Sequence, residues 1–209
     1  MKPALPSLMV VTDGRLEPDV VRRAGLAAIG GGARAIQVRR HGRPVREILE
    51  LCEVFRPALE EVDGVLLVND RVDVVAAGYA HGVHLGFRSL SIRDARRVVG
   101  EHRLVGSSTH SRAELEAALA AGADYATLSP ICPTRSHDDV TALGYRRARE
   151  WTAEVSLPVF WLGGVEARDW EHAVGAQGLA AISPFRDPAS ATASVREFLD
   201  AEKAVRAMR

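Results

Sequence analysis

The chain has 209 residues, 47% of them hydrophobic and 26% charged, and its 27 basic and 27 acidic residues cancel. This composition is typical of a globular protein with a sizeable core, and zero net charge gives no reason to expect nucleic acid or an anionic membrane as a partner. Two cysteines are too few for a disulfide framework, and no segment approaches the roughly 18 apolar residues of a membrane span. The sequence therefore predicts a soluble, cytoplasmic protein.

Short apolar runs alternate with helical patterns along the whole chain. The predicted strands are Leu8–Thr12, Ala33–Val38, Val65–Val68, His81–Leu85, Arg103–Gly106, Asp124–Leu128, Pro158–Leu162 and Gly178–Ile182. The predicted helices are Pro18–Ile29, Val45–Leu59, Arg71–Ala77, Ser91–Val99, 112–121, a segment from Gly144 to about Glu154, Ala167–Val174, and a last one from about Pro188 to Ala207.

Strict strand–helix alternation, about eight times in about 200 residues, predicts an α/β fold: a single (β/α)8 TIM barrel forming one domain over residues 1–209. A doubly wound sheet is the alternative architecture. Two helix starts carry a serine three residues before an acidic residue, Ser91 before Asp94 and Ser111 before Glu114. Cys52 falls on the apolar face of its helix, so we expect it in the core.

Polar residues follow the predicted strands, and in a barrel these strand ends share one mouth, where active sites lie. Asn69 and Asp70 end the third strand, where an amide and a carboxylate suit a ligand or a cation but also suit a helix cap. No nucleophile–base–acid arrangement is recognisable among the strand ends. The others are Thr12-Asp13, Gln37-Arg39-His41, His84-Gly86, Ser108-His110, Thr134–His137, Gly163-Gly164 and Ser183.

The glycine pair Gly163-Gly164 stands between a strand and a helix near the end of the chain. Without a Cβ, such residues let backbone N–H groups approach an anion, and Ser183 at the next strand end adds a hydroxyl. The last two βα loops of such barrels often bind phosphate. We therefore expect a phosphate site here, the alternative being a steric need at a tight turn.

Several segments, in their order and spacing, resemble the thiamine-phosphate synthase and TenI family. They are LMVVTD, AIQVR, LLVNDRVDVV, GVHLG, VGSSTHS, AGADYATLSPICPT and PVFWLGGV, and the similarity runs from about Val10 to Ser183. Synthases of this family are (β/α)8 barrels that join hydroxymethylpyrimidine pyrophosphate to a phosphorylated thiazole, giving thiamine phosphate and pyrophosphate. The resemblance therefore implies a transferase of thiamine biosynthesis that binds phosphorylated pyrimidine and thiazole molecules.

The resemblance also implies roles for the residues at the strand ends. In such a reaction the protein mainly neutralises charge on the departing pyrophosphate and aligns two rings. The residues implied to hold the pyrimidine and its pyrophosphate are Gln37, Arg39, Asn69 and Ser108, and Asp70 is implied to bind Mg2+. Those implied for the thiazole phosphate are Thr134, Ser136, Gly163, Gly164, Ile182 and Ser183. The candidate catalytic residues are Arg39, His41, Ser108 and His137.

Three positions depart from the family pattern. His41 and His137 stand where the synthases usually have lysine, so imidazoles with a pKa of about 6.5 replace full positive charges. Ser89 stands where an aspartate usually supplies a second Mg2+ ligand. Arg40 and Arg88 are the nearby sources of compensating charge, but as chain neighbours of the site we interpret them as solvated.

Two other functions stay open at this point. One is a TenI-like thiazole tautomerase, although the histidine of such enzymes is replaced here by Pro130 and either His41 or His137 would have to move the proton. The other is a non-catalytic barrel that binds a thiazole or thiamine phosphate. We interpret His84 and His110 as structural groups rather than as ligands of a transition metal. A homodimer is compatible with the sequence, which does not fix the oligomeric state.

Overall fold

Eight short parallel strands pair in chain order and the last pairs with the first, so the sheet closes into a barrel. The computed structural model describes residues 2–134 and 141–208. The strands are β1 (Leu8–Val11), β2 (Ala35–Val38), β3 (Val65–Asn69), β4 (Gly82–Leu85), β5 (Leu104–Thr109), β6 (Tyr125–Leu128), β7 (Val159–Leu162) and β8 (Gly178–Ala181). The helices are α1 (Pro18–Gly30), α2 (Val45–Glu60), α3 (Val72–Ala76), α4 (Ile92–Val99), α5 (Arg112–Ala120), α6 (Tyr145–Ala153) and α7 (Ala191–Ala207). The predicted (β/α)8 barrel is confirmed.

Strand residues point alternately into the barrel and out toward the helices, as the pleat of a strand requires. The interior is filled by an apolar layer that includes Met9, Leu67, Tyr125 and Phe160, each 0% exposed. A second and larger apolar cluster lies between the sheet and the surrounding helices. Burial on both faces is what parallel strands need, and it explains why the strands are almost continuously apolar.

Helix starts follow the expected local chemistry. The Ser91 hydroxyl accepts the Asp94 N–H at 3.1 Å, and the Ser111 hydroxyl accepts the Glu114 N–H at 3.2 Å, so both predicted caps are present. Cys52 is fully buried on α2, as predicted. In the described part of the chain, no helix combines the length and apolar character needed to cross a membrane.

Two predicted helices differ from those observed. The segment predicted as helix Ala167–Val174 is a 3₁₀ helix over Ala167–Glu171, because the Asp169 carboxylate accepts the Glu166 N–H at 2.8 Å and tightens the first turn. The last helix begins at Ala191 rather than near Pro188. A second 3₁₀ turn, Ser183–Phe185, and a turn held by Asp187 precede it.

Candidate functional site

A row of amides and a carboxylate crosses the carboxyl ends of β2 and β3. The buried side chain of Gln37 donates from Nε2 to Asn69 Oδ1 at 3.0 Å, and Asn69 Nδ2 donates in turn to Asp70 Oδ2 at 2.6 Å. Strands β2 and β3 are paired in parallel, with Gln37 opposite Leu67, so Gln37 lies within reach of Asn69 two residues further along β3. The two amides donate in sequence, and the Asp70 carboxylate is the acceptor at the end of the row.

Asp70 is held by the loop after β4 as well as by Asn69. Its Oδ1 accepts the Gly86 N–H at 3.2 Å and the hydroxyl of Ser89, and its backbone has a φ of 62°, in the left-handed region. Helix α3 begins at Val72 with no side-chain cap, so the Asp70 carboxylate faces the mouth instead of the helix. The alternative interpretation of Asp70 as a helix cap is therefore wrong.

His41 lies beside Asp70, with 3.4 Å between His41 Nδ1 and Asp70 Oδ2. Burial lowers the pKa of His41, and so do the positive charges of Arg39 and Arg88, while Asp70 raises it. The net shift is downward from 6.5, so at neutral pH the imidazole is mostly uncharged. His41 then offers a hydrogen bond and not a positive charge.

Arg39 supplies a guanidinium at the end of β2. The strand end is fixed because the Arg39 N–H donates to the Thr12 hydroxyl at 2.9 Å. Burial is the main influence lowering the pKa of Arg39, with Arg15 acting in the same direction and Asp13 and Asp70 opposing it. Since an arginine titrates far above neutral pH, the side chain remains a full cation.

Arg40 is not solvated as the sequence interpretation had it. Its side chain is buried, donates to the carbonyls of Gly14 and Leu16 at 3.2 and 2.6 Å, and pairs with Glu47 at the start of α2. The residue after Arg39 points outward, and the outer face of a barrel strand is covered by helices. Arg88, by contrast, is exposed as expected.

Ser108 approaches the mouth from β5 and is oriented from below by His84. Nε2 of His84 lies 3.0 Å from Ser108 Oγ and its Nδ1 lies 3.1 Å from the Tyr125 hydroxyl. Burial lowers the pKa of His84 to about 4, so the ring is neutral. His110 is likewise tied to the backbone, with Nδ1 2.8 Å from the Ser129 carbonyl oxygen. Both geometries agree with the structural roles inferred for these histidines.

The glycine pair after β7 lies against the chain that follows β6. Both glycines have positive φ, 94° at Gly163 and 68° at Gly164. A Cβ on Gly163 would lie 2.9 Å from Pro130 Cα, and one on Gly164 would lie 2.8 Å from the Cys132 carbonyl oxygen. The steric explanation for this pair therefore holds, and Gly164 is also exposed at the mouth, where its backbone is accessible to an anion.

The remaining residues implied for the thiazole phosphate either follow β8 or belong to the segment after β6. Ile182 is half-buried beyond β8, and its carbonyl accepts the Phe185 N–H at 3.1 Å, so Ser183 begins a 3₁₀ turn with an exposed side chain. Thr134 is half-buried beyond β6. Ser136 and His137 lie outside the described residues.

The structure therefore brings Gln37, Asn69, Asp70 and His41 into direct contact, with Arg39 close by and Ser108 on the adjacent wall. Two partners were missed at the sequence level. Ser89 was considered only as a lost ligand, yet its hydroxyl binds Asp70. Thr12 was included among the strand ends without a role. Because β1 pairs with β2, its position at the end of β1 indicated that it could bind the backbone of Arg39.

Chemically, the contacts described above bring together the Arg39 guanidinium, the Asp70 carboxylate, the mostly uncharged His41 imidazole, amides and hydroxyls. Among residues 2–134 and 141–208, no group of three or more His, Cys, Asp or Glu side chains is arranged to hold a metal on its own. The hydrogen-bonding groups at the described mouth include the amides of Gln37 and Asn69, the hydroxyls of Ser89 and Ser108, and the Asp70 carboxylate. This set is suited to binding and orienting polar, phosphorylated molecules.

Comparison with known proteins agrees with the resemblance seen in the sequence. The model of a family described as thiamine monophosphate synthase matches residues 8–185. Thiamine-phosphate synthase from Methanoculleus marisnigri is 38% identical over 96% of this chain and 97% of its own length, and that from Pyrococcus furiosus is 33% identical over 92% and 94%. A solved structure, thiamine phosphate pyrophosphorylase from Pyrococcus furiosus, has a TM-score of 0.85 and 31% identity, covering 95% of this chain and 96% of that one. The chain belongs to the thiamine monophosphate synthase family.

Proposed function

We propose that this chain is a thiamine-phosphate synthase, a transferase that joins hydroxymethylpyrimidine pyrophosphate to a phosphorylated thiazole. The observation that carries the proposal is the row Gln37–Asn69–Asp70 at the barrel mouth, because it offers amides for a pyrimidine next to a carboxylate for the pyrophosphate's cation. The comparisons support the same reaction and do not favour the tautomerase or the non-catalytic binder.

The reaction needs few chemical groups from the protein. The bond from the methylene carbon to the pyrophosphate oxygen breaks, and the electron-rich aminopyrimidine stabilises the positive charge left on that carbon. The thiazole nitrogen then supplies the electron pair for the new C–N bond, and pyrophosphate departs. The task of the protein is to stabilise charge on the leaving group and to align the two rings, which requires no covalent nucleophile.

Arg39 is the described side chain best placed to stabilise the departing pyrophosphate. It is a full cation whose backbone is held by Thr12, and Asp70 lies close enough to influence its pKa. His41 donates a hydrogen bond but contributes little charge, because its pKa is lowered. Ser108, oriented by His84, is a further donor to the pyrimidine or its phosphates. His137 remains a proposed second contact to the pyrophosphate.

The donor set at Asp70 fits Mg2+ that arrives with its substrate. Mg2+ prefers oxygen ligands and is often held by one or two carboxylates together with substrate phosphates and water. Asp70 supplies one carboxylate, and Ser89 contributes a neutral hydroxyl where the family has a second carboxylate. When bound, Mg2+ neutralises charge on the pyrophosphate. Asp70 would hold it, with Asn69 and Ser89 fixing the orientation of the carboxylate.

The thiazole phosphate is proposed to bind on the opposite side of the mouth. Gly164 offers an exposed backbone without a Cβ, and Ser183 offers an exposed hydroxyl at the end of β8. Gly163, Ile182 and Thr134, which follow β7, β8 and β6, are proposed to complete the walls of this region. Ser136 completes the proposed phosphate contacts.

Purified protein given both substrates and Mg2+ tests this function. Thiamine phosphate and pyrophosphate should appear in equal amounts and only when both substrates are present, and chelation of Mg2+ should abolish the reaction. The measurement is chromatography of the products between about pH 6 and about pH 9, which covers both charge states of a histidine. Absence of coupling throughout that range contradicts the proposal. Tautomer exchange of the thiazole phosphate without the pyrimidine would instead favour the tautomerase.

A further inference from the structure

A buried carboxylate that the proposed reaction does not use lies behind the thiazole side of the mouth. Asp169, on the 3₁₀ helix after β7, is only 2% exposed. Its Oδ1 accepts the Tyr145 hydroxyl at 2.8 Å and its Oδ2 accepts the Glu166 N–H at 2.8 Å. A buried carboxylate is costly unless its oxygens are paired, so this residue needs both partners.

The partners of Asp169 belong to the two loops that meet at Gly164. Tyr145 is the first residue of α6, where the loop after β6 ends. Cys132 lies near the beginning of that loop, with its Sγ 3.4 Å from the Tyr145 hydroxyl and 3.9 Å from Asp169 Oδ2. The Cys132 N–H donates to the Gly163 carbonyl at 2.9 Å. Asp169 thus connects the entry and the exit of the β6–α6 loop to the segment after β7.

His172 strengthens this connection from the outside. Its ring stacks on that of Tyr145, with 4.1 Å between ring centroids and 20° between ring planes. The phenol is therefore held by its ring face as well as by its hydroxyl. The polar atoms that Asp169 contacts, on Cys132, Tyr145 and Glu166, belong to three different segments.

We propose that Asp169 is a positioning residue for the phosphorylated thiazole: through Cys132 and Tyr145 it holds the two described ends of the β6–α6 loop near the glycine pair after β7. This rests on the proposed function, since it concerns the thiazole side of the same mouth. Loop ends that are already held in place lose less conformational freedom when the ligand binds, and the affinity is higher for that reason. Loss of the connection should therefore weaken binding of the thiazole and leave the pyrimidine side, on β2 to β5, unaffected.

The test uses Tyr145→Phe and Asp169→Asn, with Thr152→Val as the matched control. Thr152 is buried on α6 and accepts the Trp161 Nε1–H of β7 at 3.0 Å. The control therefore removes a buried hydrogen bond between α6 and β7, near the other end of the helix, without touching either loop. Thermal unfolding of all three variants shows how much stability each has lost.

Cys132 provides a readout that does not depend on catalysis. Of the two cysteines, Cys52 is fully buried and Cys132 is partly exposed, so a thiol reagent reports on Cys132. Bound phosphorylated thiazole should slow the labelling, and the concentration giving half-protection measures affinity. Burial raises the pKa of this thiol and nearby Asp169 raises it further, so alkaline buffer is needed for measurable rates.

In both loop variants the half-protection concentration and the KM for the thiazole should rise about tenfold, as expected when one or two side chains must be ordered on binding. The KM for the pyrimidine pyrophosphate and the values for Thr152→Val should stay near those of the unaltered protein. Unchanged half-protection and KM in the loop variants, or an equal rise in Thr152→Val, overturns the positioning role while leaving the synthase proposal intact. An unaltered protein that neither couples the substrates nor is protected by the thiazole overturns both.

Discussion

Substitution of Gly164 by alanine should be far more damaging than the same change at Gly175. Both glycines have positive φ, 68° and 86°, so a Cβ at either costs about 1 to 2 kcal/mol of backbone strain. At Gly175 nothing lies within 4 Å of the added atom, whereas at Gly164 the Cβ would lie 2.8 Å from the Cys132 carbonyl oxygen. Forcing an atom into such a space adds about 1 to 3 kcal/mol.

Gly164→Ala should therefore lose roughly 2 to 5 kcal/mol of unfolding free energy and Gly175→Ala roughly 1 to 2 kcal/mol. Urea unfolding followed by circular dichroism measures the two values, with equal denaturant slopes indicating that the unfolded states are comparable. Gly164→Ala should also raise the KM for the phosphorylated thiazole, because the Cys132 backbone has to move. The KM for the pyrimidine pyrophosphate is the internal reference.

Equal losses in the two variants would refute the close approach of the β6 and β7 loops. If Gly164→Ala loses more stability than Gly175→Ala, as expected, but its KM for the thiazole is unchanged, the proposed placement of the phosphate at Gly164 is refuted instead. The two conclusions are thus tested separately by the same pair of proteins.

Three further predictions concern other parts of the mouth and its support. The pKa of His84 is about 4 in the folded chain, against 6.5 for an unperturbed histidine in the unfolded chain. As the pH drops, the unfolded state therefore binds the proton first. The free energy of unfolding should fall by about 3 kcal/mol between pH 6.5 and pH 4. Urea unfolding of His84→Gln should show a weaker pH dependence, and parallel curves would contradict this. Arg40→Met should lose about 2 to 4 kcal/mol, since Glu47 and two carbonyls lose their partner, whereas exposed Arg88→Met should change unfolding by less than about 0.5 kcal/mol. Ser89→Asp adds a second carboxylate beside Asp70 and should lower the Mg2+ concentration that gives half-maximal activity, so an unchanged or higher requirement would argue against Asp70 as the metal residue.

Regular periodicity made the barrel predictable. Alternating apolar strands and helical patterns, with glycine at helix ends, identify eight repeats even though each strand has only four to six residues. The Ser111–Glu114 pattern places a helix start because the hydrogen bond is local. Long-range contacts are what the sequence does not contain. The hydrogen bond between Tyr145 and Asp169 joins residues 24 positions apart, and no local pattern indicates that pair.

Arg40 illustrates why sequence neighbours of a site are hard to place. Period-two alternation along β2 puts Gln37 and Arg39 toward the mouth and Arg40 on the other face. In an open antiparallel sheet that face often meets water, but in this barrel it meets α2 and the loop after β1. The alternation was readable from the sequence, and the missing information was which part of the molecule covers the outer face.

The bond between His84 and Tyr125 has a practical consequence for redesign. Tyr125 belongs to the apolar layer inside the barrel. One ring nitrogen of His84 contacts the Tyr125 hydroxyl, and the other contacts the Ser108 hydroxyl at the mouth. A library that randomises the rim of the barrel can vary residues such as Ser89 and His41 without disturbing the packed layer below. Any library that includes His84 couples stability to substrate choice, because the same side chain contacts both the core residue Tyr125 and Ser108. Leaving that one position fixed separates the selection for new chemistry from the selection for folding.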